Sequence, residues 1–191
     1  SLNLYAPYEL VLSLDGELKS ADIRKVLNTN IPLSMEFSGD LNDLRFGLLS
    51  DLLDLQLGGN LLDPGGELTW DVTGTALGSQ QTLLIADEEV ALAGVSLNSV
   101  GSIEDWSLDI SSDIGVAGLP PLALVLSTHG SDMGIQINRS SLSGSGFDVG
   151  FNGQLDWSPQ AAADISVVIG QMDLSRWVAE WPETAPLTGE L

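Results

Sequence analysis

The stretch Phe147-Asp148-Val149-Gly150-Phe151-Asn152-Gly153-Gln154-Leu155-Asp156-Trp157 decides the fold. Phe147, Val149, Phe151, Leu155 and Trp157 recur at even spacing, with Asp, Asn and Gln between them. That is the period of a strand with one face in apolar surroundings and the other in water. The same alternation returns at Leu44, Phe46 and Leu48, at Leu53, Leu55 and Leu57, and at Leu68, Trp70 and Val72. It continues at Trp106, Leu108, Ile110 and Ile114, at Leu122, Leu124 and Leu126, at Ile135 and Ile137, and at Ile165, Val167 and Ile169. Roughly ten strands of an antiparallel meander are expected, joined by short turns. Asp15-Gly16, Asp63-Pro64-Gly65-Gly66 and Ser143-Gly144-Ser145-Gly146 are the strongest turn signals.

Two segments read differently. Asp22–Asn28 and Asp173–Trp181 each open with a capping Asp, carry apolar residues at helical spacing and precede a proline, Pro32 or Pro182. Two short helical segments are therefore expected, at 22–28 and 173–181.

The chain also repeats itself. Leu53 to Leu61 aligns without a gap on Phe147 to Leu155, matching the apolar positions, one Asp, one Gly and the final Leu. Asp22-Ile23-Arg24-Lys25-Val26-Leu27 with Pro32-Leu33 and Gly39-Asp40-Leu41 matches Asp173-Leu174-Ser175-Arg176-Trp177-Val178 with Pro186-Leu187 and Gly189-Glu190-Leu191. Similar blocks in series describe an elongated sheet, so residues 1–191 are expected to be one segment of a longer repetitive β protein.

Composition excludes several classes of function. Twenty-seven Asp and Glu against 6 Lys and Arg give a formal charge of −21, which repels a phosphate backbone and removes nucleic acid as a partner. A hydrophobic fraction of 43% is too high for a disordered chain. Without cysteine there is no disulfide, thiolate ligand or Cys nucleophile, and one histidine, His129, cannot make a histidine metal site. His129 is read as a turn histidine, since no strand-elbow-helix serine motif accompanies it. Gly144-Ser145-Gly146-Phe147-Asp148 is read as a loop entering a strand rather than as one calcium-binding nonapeptide. Carboxylate pairs such as Asp51/Asp54 and Glu88/Glu89 are what 27 scattered acids produce. No enzyme activity and no cofactor are expected. The longest charge-free run, Ile114–Ser131, is broken by Pro120-Pro121 and is no membrane span. The opening SLNLYAPYELVLSL has neither Met nor a basic n-region, so the chain is expected to be cut from something longer.

The closing stretch GQLDWSPQAAADISVVIGQMDLSRWVAEWPETAPLTGEL, residues 153–191, resembles the repeat of the TamB family within the AsmA-like group. The resemblance rests on Gly153, Leu155, Trp157, Pro159, Gly170, Asp173, Leu174, Trp177, Trp181, Pro182, Pro186, Leu187, Gly189 and Leu191. The copy starting at Gly59 keeps Leu61, Pro64 and Gly74 without the first Trp, and the copy at Asp22 has Val26 where Trp177 stands. This resemblance implies a periplasmic protein of Gram-negative bacteria, held in the inner membrane by an N-terminal anchor outside this sequence. It implies an outer-membrane barrel partner, TamA, and a long curled sheet, a β-taco, with a hydrophobic concave face. The implied functions are phospholipid transport between the two membranes and support of outer-membrane protein assembly.

The residues themselves agree with one apolar face that needs cover. A second sheet supplies that cover in a sandwich or barrel; an incompletely closed, curled sheet instead accepts acyl chains. The expected fold is thus all-β, an elongated curved antiparallel sheet with a groove. The candidate lipid-binding residues are Leu55, Leu57, Trp70, Leu108, Ile110, Leu124, Leu126, Val149, Phe151, Val167 and Ile169. Outward positions such as Asp54, Asp109, Asp148 and Asp156 form the polar face, and a one-residue slip would invert any strand. The rival reading is a scaffold whose sheet edge templates strands of outer-membrane barrel or autotransporter clients by β-augmentation.

Overall fold

The structure is a computed structural model that describes residues 10–18, 31–40, 42–76, 78, 81–85, 88–116, 120–157, 161–173 and 187–190. Thirteen strands form one antiparallel sheet. They are β1 (Leu10–Leu18), β2 (Ile31–Gly39), β3 (Asp43–Ser50), β4 (Leu55–Leu62), β5 (Thr69–Ala76), β6 (Gln81–Ile85) and β7 (Glu88–Ser102). There follow β8 (Trp106–Val116), β9 (Leu122–Gly130), β10 (Gly134–Gly144), β11 (Phe147–Asp156), β12 (Ala162–Met172) and β13 (Leu187–Glu190). Each strand pairs with its predecessor and successor, except that β5 and β6 lie end to end along the 15-residue β7.

Turn chemistry explains the tight connections. The Asp40 carboxylate accepts from the backbone N–H groups of Asn42 and Asp43, at 2.7 and 3.0 Å, and closes the β2–β3 turn. Asp63, with φ of 48°, turns the chain out of β4, and its carbonyl accepts from the Gly66 N–H at 2.9 Å. Three strands carry a register shift of the bulge type: β7 between Ala93 and Ser96, β10 between Ile137 and Ser140, and β12 between Ile169 and Met172. Such insertions bend and twist the strand that holds them.

Several local expectations are corrected. Asp15-Gly16 is no turn: both residues pair within β1, Asp15 opposite Ser34 and Gly16 opposite Leu33. Leu53 and Asp54 belong to the turn before β4, and Asp54 has φ of 46°. His129 lies inside β9 rather than in a turn. The expectation of two short helical segments gains no support. No helix occurs among the described residues, and 22–28 and 173–181 lie outside them apart from Asp173, whose N–H donates to the Gly146 carbonyl at 2.7 Å.

The sheet is a single open layer. Among the described strands, extensive contacts run between hydrogen-bonded neighbours, and β1 and β13 are not paired to each other. A closed sandwich or barrel is therefore not what these strands build. Ile31, 2% exposed, is the one buried apolar residue among those described. The chain presents 12497 Å² of surface, where a compact protein of its mass would present about 8,700 Å². Less burial than in a compact protein is what a sheet with no described strand packed over its apolar face produces.

Candidate functional site: an apolar sheet face

Residues directly opposite in an antiparallel pair share a face, so register carries face assignment across the sheet. One row runs Gly39, Leu44, Leu61, Trp70, Gly101, Trp106, Gly130, Ile135, Leu155, Ala163. It crosses ten strands, about 43 Å at 4.8 Å per step, without a polar side chain. The next row runs Leu12, Phe37, Phe46, Gly59, Val72, Ser99, Leu108, Thr128, Ile137, Gly153, Ile165. A third holds Leu14, Met35, Leu48, Leu57, Gly74, Leu97, Ile110 and Leu126, and resumes beyond the β10 bulge at Phe151 and Val167.

All eleven sequence-derived candidates lie on this face. Trp70 belongs to the first row and Leu108 to the second; Leu57, Ile110, Leu126, Phe151 and Val167 belong to the third. Leu124, Val149 and Ile169 form the next row through Leu142, and Leu55 stands opposite Ser50 two positions beyond the Leu48–Leu57 pair. Each of the eleven is half-buried. Beside them the face also carries Leu12, Leu14, Met35, Phe37, Val95, Leu97 and Leu142. Alternation at Leu10, Leu12, Leu14 and at Leu33, Met35, Phe37 is the signal that would have added the first two strands.

Polar groups on this face are turned inward upon the protein. The Trp70 indole Nε1–H donates to Ser99 Oγ at 2.9 Å, and Ser99 Oγ donates onward to the Ser107 carbonyl at 3.0 Å. Thr128, 3% exposed, donates to the Leu108 carbonyl at 3.2 Å, and the buried Ser140 hydroxyl accepts from the Ser127 N–H at 3.2 Å. Satisfied in this way, these three hydroxyls offer little to water, and the Ser50 hydroxyl, opposite Leu55 and without a hydrogen-bond partner, is 4% exposed. Trp106 lies over Gly130, where a Cβ would overlap the indole, so the aromatic ring covers bare backbone.

The opposite face carries Glu36, Asp71, Asp109, Asp113, Asp148 and Asp164 at strand positions. Among the outward acids expected from sequence, Asp109, Asp148 and Asp156 are in strands while Asp54 is in a turn. His129 is on this polar face, with Nε2 3.3 Å from Asp105 Oδ1 in an exposed pair. No group of His, Asp and Glu among the described residues could hold a metal ion, and no helix there is long and apolar enough to cross a membrane. Trp177 and Trp181 of the sequence motif, and Arg24 and Lys25 of the repeat, lie outside the described residues.

Residues 1–191 match the family model described as TamB, N-terminal domain. The match spans the whole chain and not only the closing forty or so residues that carry the sequence motif. No curated protein and no solved structure matches the chain.

Proposed function

The chain belongs to the TamB family, and from that membership we propose that its apolar face carries phospholipid acyl chains between the inner and outer membranes. Members of this family act in outer-membrane assembly in the Gram-negative envelope, together with TamA. Within that role the segment is periplasmic, anchored at the inner membrane by another part of its parent, and acts as a carrier rather than a catalyst. The curled, taco-like cross-section belongs to the same proposal, and the bulges of β7, β10 and β12 are the devices that would bend the sheet.

The observation that carries the reading is the unbroken apolar row from Gly39 to Ala163 with no described strand packed over it. Each methylene moved from water onto such a surface contributes about 0.8 kcal/mol, so a single acyl tail gains on the order of 10 kcal/mol when fully sheltered. Because the row itself carries no polar side chain, and the Ser99 and Thr128 hydroxyls beside it are bonded to backbone carbonyls, the attraction is indifferent to headgroup and to position along the row. Such indifference is what sliding requires.

The test is direct. Protein purified from a Gram-negative host and extracted with organic solvent is expected to release phospholipid in stoichiometric amount. A folded, soluble chain that carries none overturns the proposal. The second reading, a scaffold for barrel or autotransporter clients, is favoured by the edge of β1, which no described strand pairs on its outer side. Proline placed at Val11, Ser13 or Asp15, which lie off the apolar face, would weaken client pairing without changing lipid content.

A further inference from the structure

The polar face, which lipid carriage leaves unused, holds a duplicated site. β4 and β11 are the two strands that the internal repeat superimposes. Their outward residues are Gln56, Gly58 and Asn60 on one and Gly150, Asn152 and Gln154 on the other. In a chain of charge −21 both sets are uncharged, two carboxamides and one glycine each. Arg45 on β3 and Arg139 on β10 stand one strand before, and they are the only Lys or Arg residues among those described. Asp71 and Asp164 stand one strand after, opposite Asn60 and Gln154. Thr73 opposite Gly58 and Ser166 opposite Asn152 complete the parallel.

Both places are depressions. Arg139, Asn152, Gln154, Asp164 and Ser166 line one of about 760 Å³. Gln56, Gly58 and Thr73 line one of about 660 Å³, which adjoins at Gly58 and Thr73 a smaller hollow holding Arg45, Asn60 and Asp71. The glycines form open floors: the nearest atom to a Cβ on Gly58 would be 3.5 Å away, and on Gly150 3.9 Å. On β10 the bulge between Ile137 and Ser140 takes Arg139 out of the ladder, and its side chain is exposed. Gln154 Nε2 donates to Asp156 Oδ2 at 2.7 Å, which fixes the amide with its carbonyl oxygen free to accept.

We propose that each depression is a subsite for a glycan strand built of acetamido sugars. Carboxamides both donate to and accept from hydroxyls, the aspartate accepts from hydroxyls, and the guanidinium donates to an acetamido carbonyl. A bare glycine floor lets a pyranose ring approach the backbone closely. Each subsite sets one guanidinium against the aspartate of the next strand, while Glu36 beside β4, Asp156 beside β11 and the surrounding acids repel anionic polymers and leave an uncharged one as the fitting ligand. Extended peptides join sheets at edges and not across faces, so a peptide is the poorer fit. β4 and β11 are six strand steps apart, about 29 Å along the sheet, so one polymer can span both subsites and bind with avidity.

This inference stands apart from lipid carriage and is tested separately, by isothermal titration calorimetry of the full chain with long N-acetylglucosamine oligomers. Arg139→Ala and Arg45→Ala are each expected to weaken binding about a hundredfold by leaving one subsite, and the double variant to abolish it. Leu126→Glu, on the opposite face, is expected to leave oligomer binding unchanged whatever it does to lipid content. Failure of the native chain to bind at millimolar oligomer, equal binding by the double variant, or binding of soluble phosphoethanolamine in place of the oligomer would each overturn the proposal. Circular dichroism confirms that the arginine variants, altered only at exposed side chains, retain the fold.

Discussion

Gly59 of β4 and Gly153 of β11 lie on one row of the sheet, and a Cβ on either would fall on an aspartate carbonyl oxygen of the next strand, Asp71 or Asp164. The two glycines also correspond in the internal repeat, so the same close backbone approach is built twice. Both face the apolar side. On the polar side, a Cβ added to Gly47 would meet no atom within 4 Å.

Alanine substitutions separate these cases. Gly153→Ala forces both an overlap and a φ of 155° on a residue with a side chain, and is expected to cost about 3 kcal/mol. Gly59→Ala meets the overlap without the positive φ and is expected to cost less, about 1–2 kcal/mol. Gly47→Ala fills open space and removes freedom from the unfolded chain, so it is expected to be neutral or stabilising by up to about 1 kcal/mol. Urea unfolding midpoints rank the three; an equal effect at Gly47 and Gly153 would contradict the crowding seen on the apolar side.

Ser99 and Trp70 form a second measurable pair. Ser99→Ala leaves the half-buried indole N–H without its acceptor and is expected to cost about 1–2 kcal/mol. Trp70→Phe removes the donor while Ser99 keeps its bond to the Ser107 carbonyl. In a double-mutant cycle the two changes are expected to couple by about 1 kcal/mol, since the second loses nothing once the first is made. Additive effects would mean that the bond contributes nothing to holding Trp70 against the face.

Net charge supplies a third prediction. With a formal charge of −21, and with His129–Asp105 as the ion pair found among described side chains, self-repulsion is screened rather than compensated. Raising ionic strength from about 0.01 M to 0.15 M shortens the screening length from about 30 to 8 Å and is expected to raise the thermal midpoint. A midpoint that falls with salt would show that attractive pairs dominate.

The fold is readable wherever alternation runs unbroken. β5, β8 and β11 keep one parity through their apolar residues, β4 does so as far as Leu61, and the candidate residues drawn from them share a face for that reason. β7 is hidden from such a reading because its bulge at Gly94 switches parity: Val90 and Leu92 precede it, Val95 and Leu97 follow. β10 is legible only as far as Ile137, since Leu142 falls on the other parity beyond the bulge, and β12 shows the same shift between Ile169 and Met172. Asp15-Gly16 misleads because a dipeptide favourable to turns also fits within a strand whose partners, Ser34 and Leu33, fix its register. What no alternation can convey is whether a second layer covers the apolar face, because a strand lining a groove and a strand lining a core have the same period.

Leu126 and Ile31 decide that question by experiment. Leu126 is half-buried with no described strand above it, so a glutamate there can turn its carboxylate toward water, and Leu126→Glu is expected to cost only about 1 kcal/mol. Ile31 is 2% exposed, and Ile31→Glu, which strands a charge away from water, is expected to cost about 4 kcal/mol and unfold much of the population. On the groove reading the Leu126→Glu protein is folded but releases little phospholipid on extraction, because a carboxylate now interrupts the apolar path between Ile110 and Phe151. Should Leu126→Glu unfold the chain as Ile31→Glu does, the face behaves as a packed core, and acyl chains have no room on it.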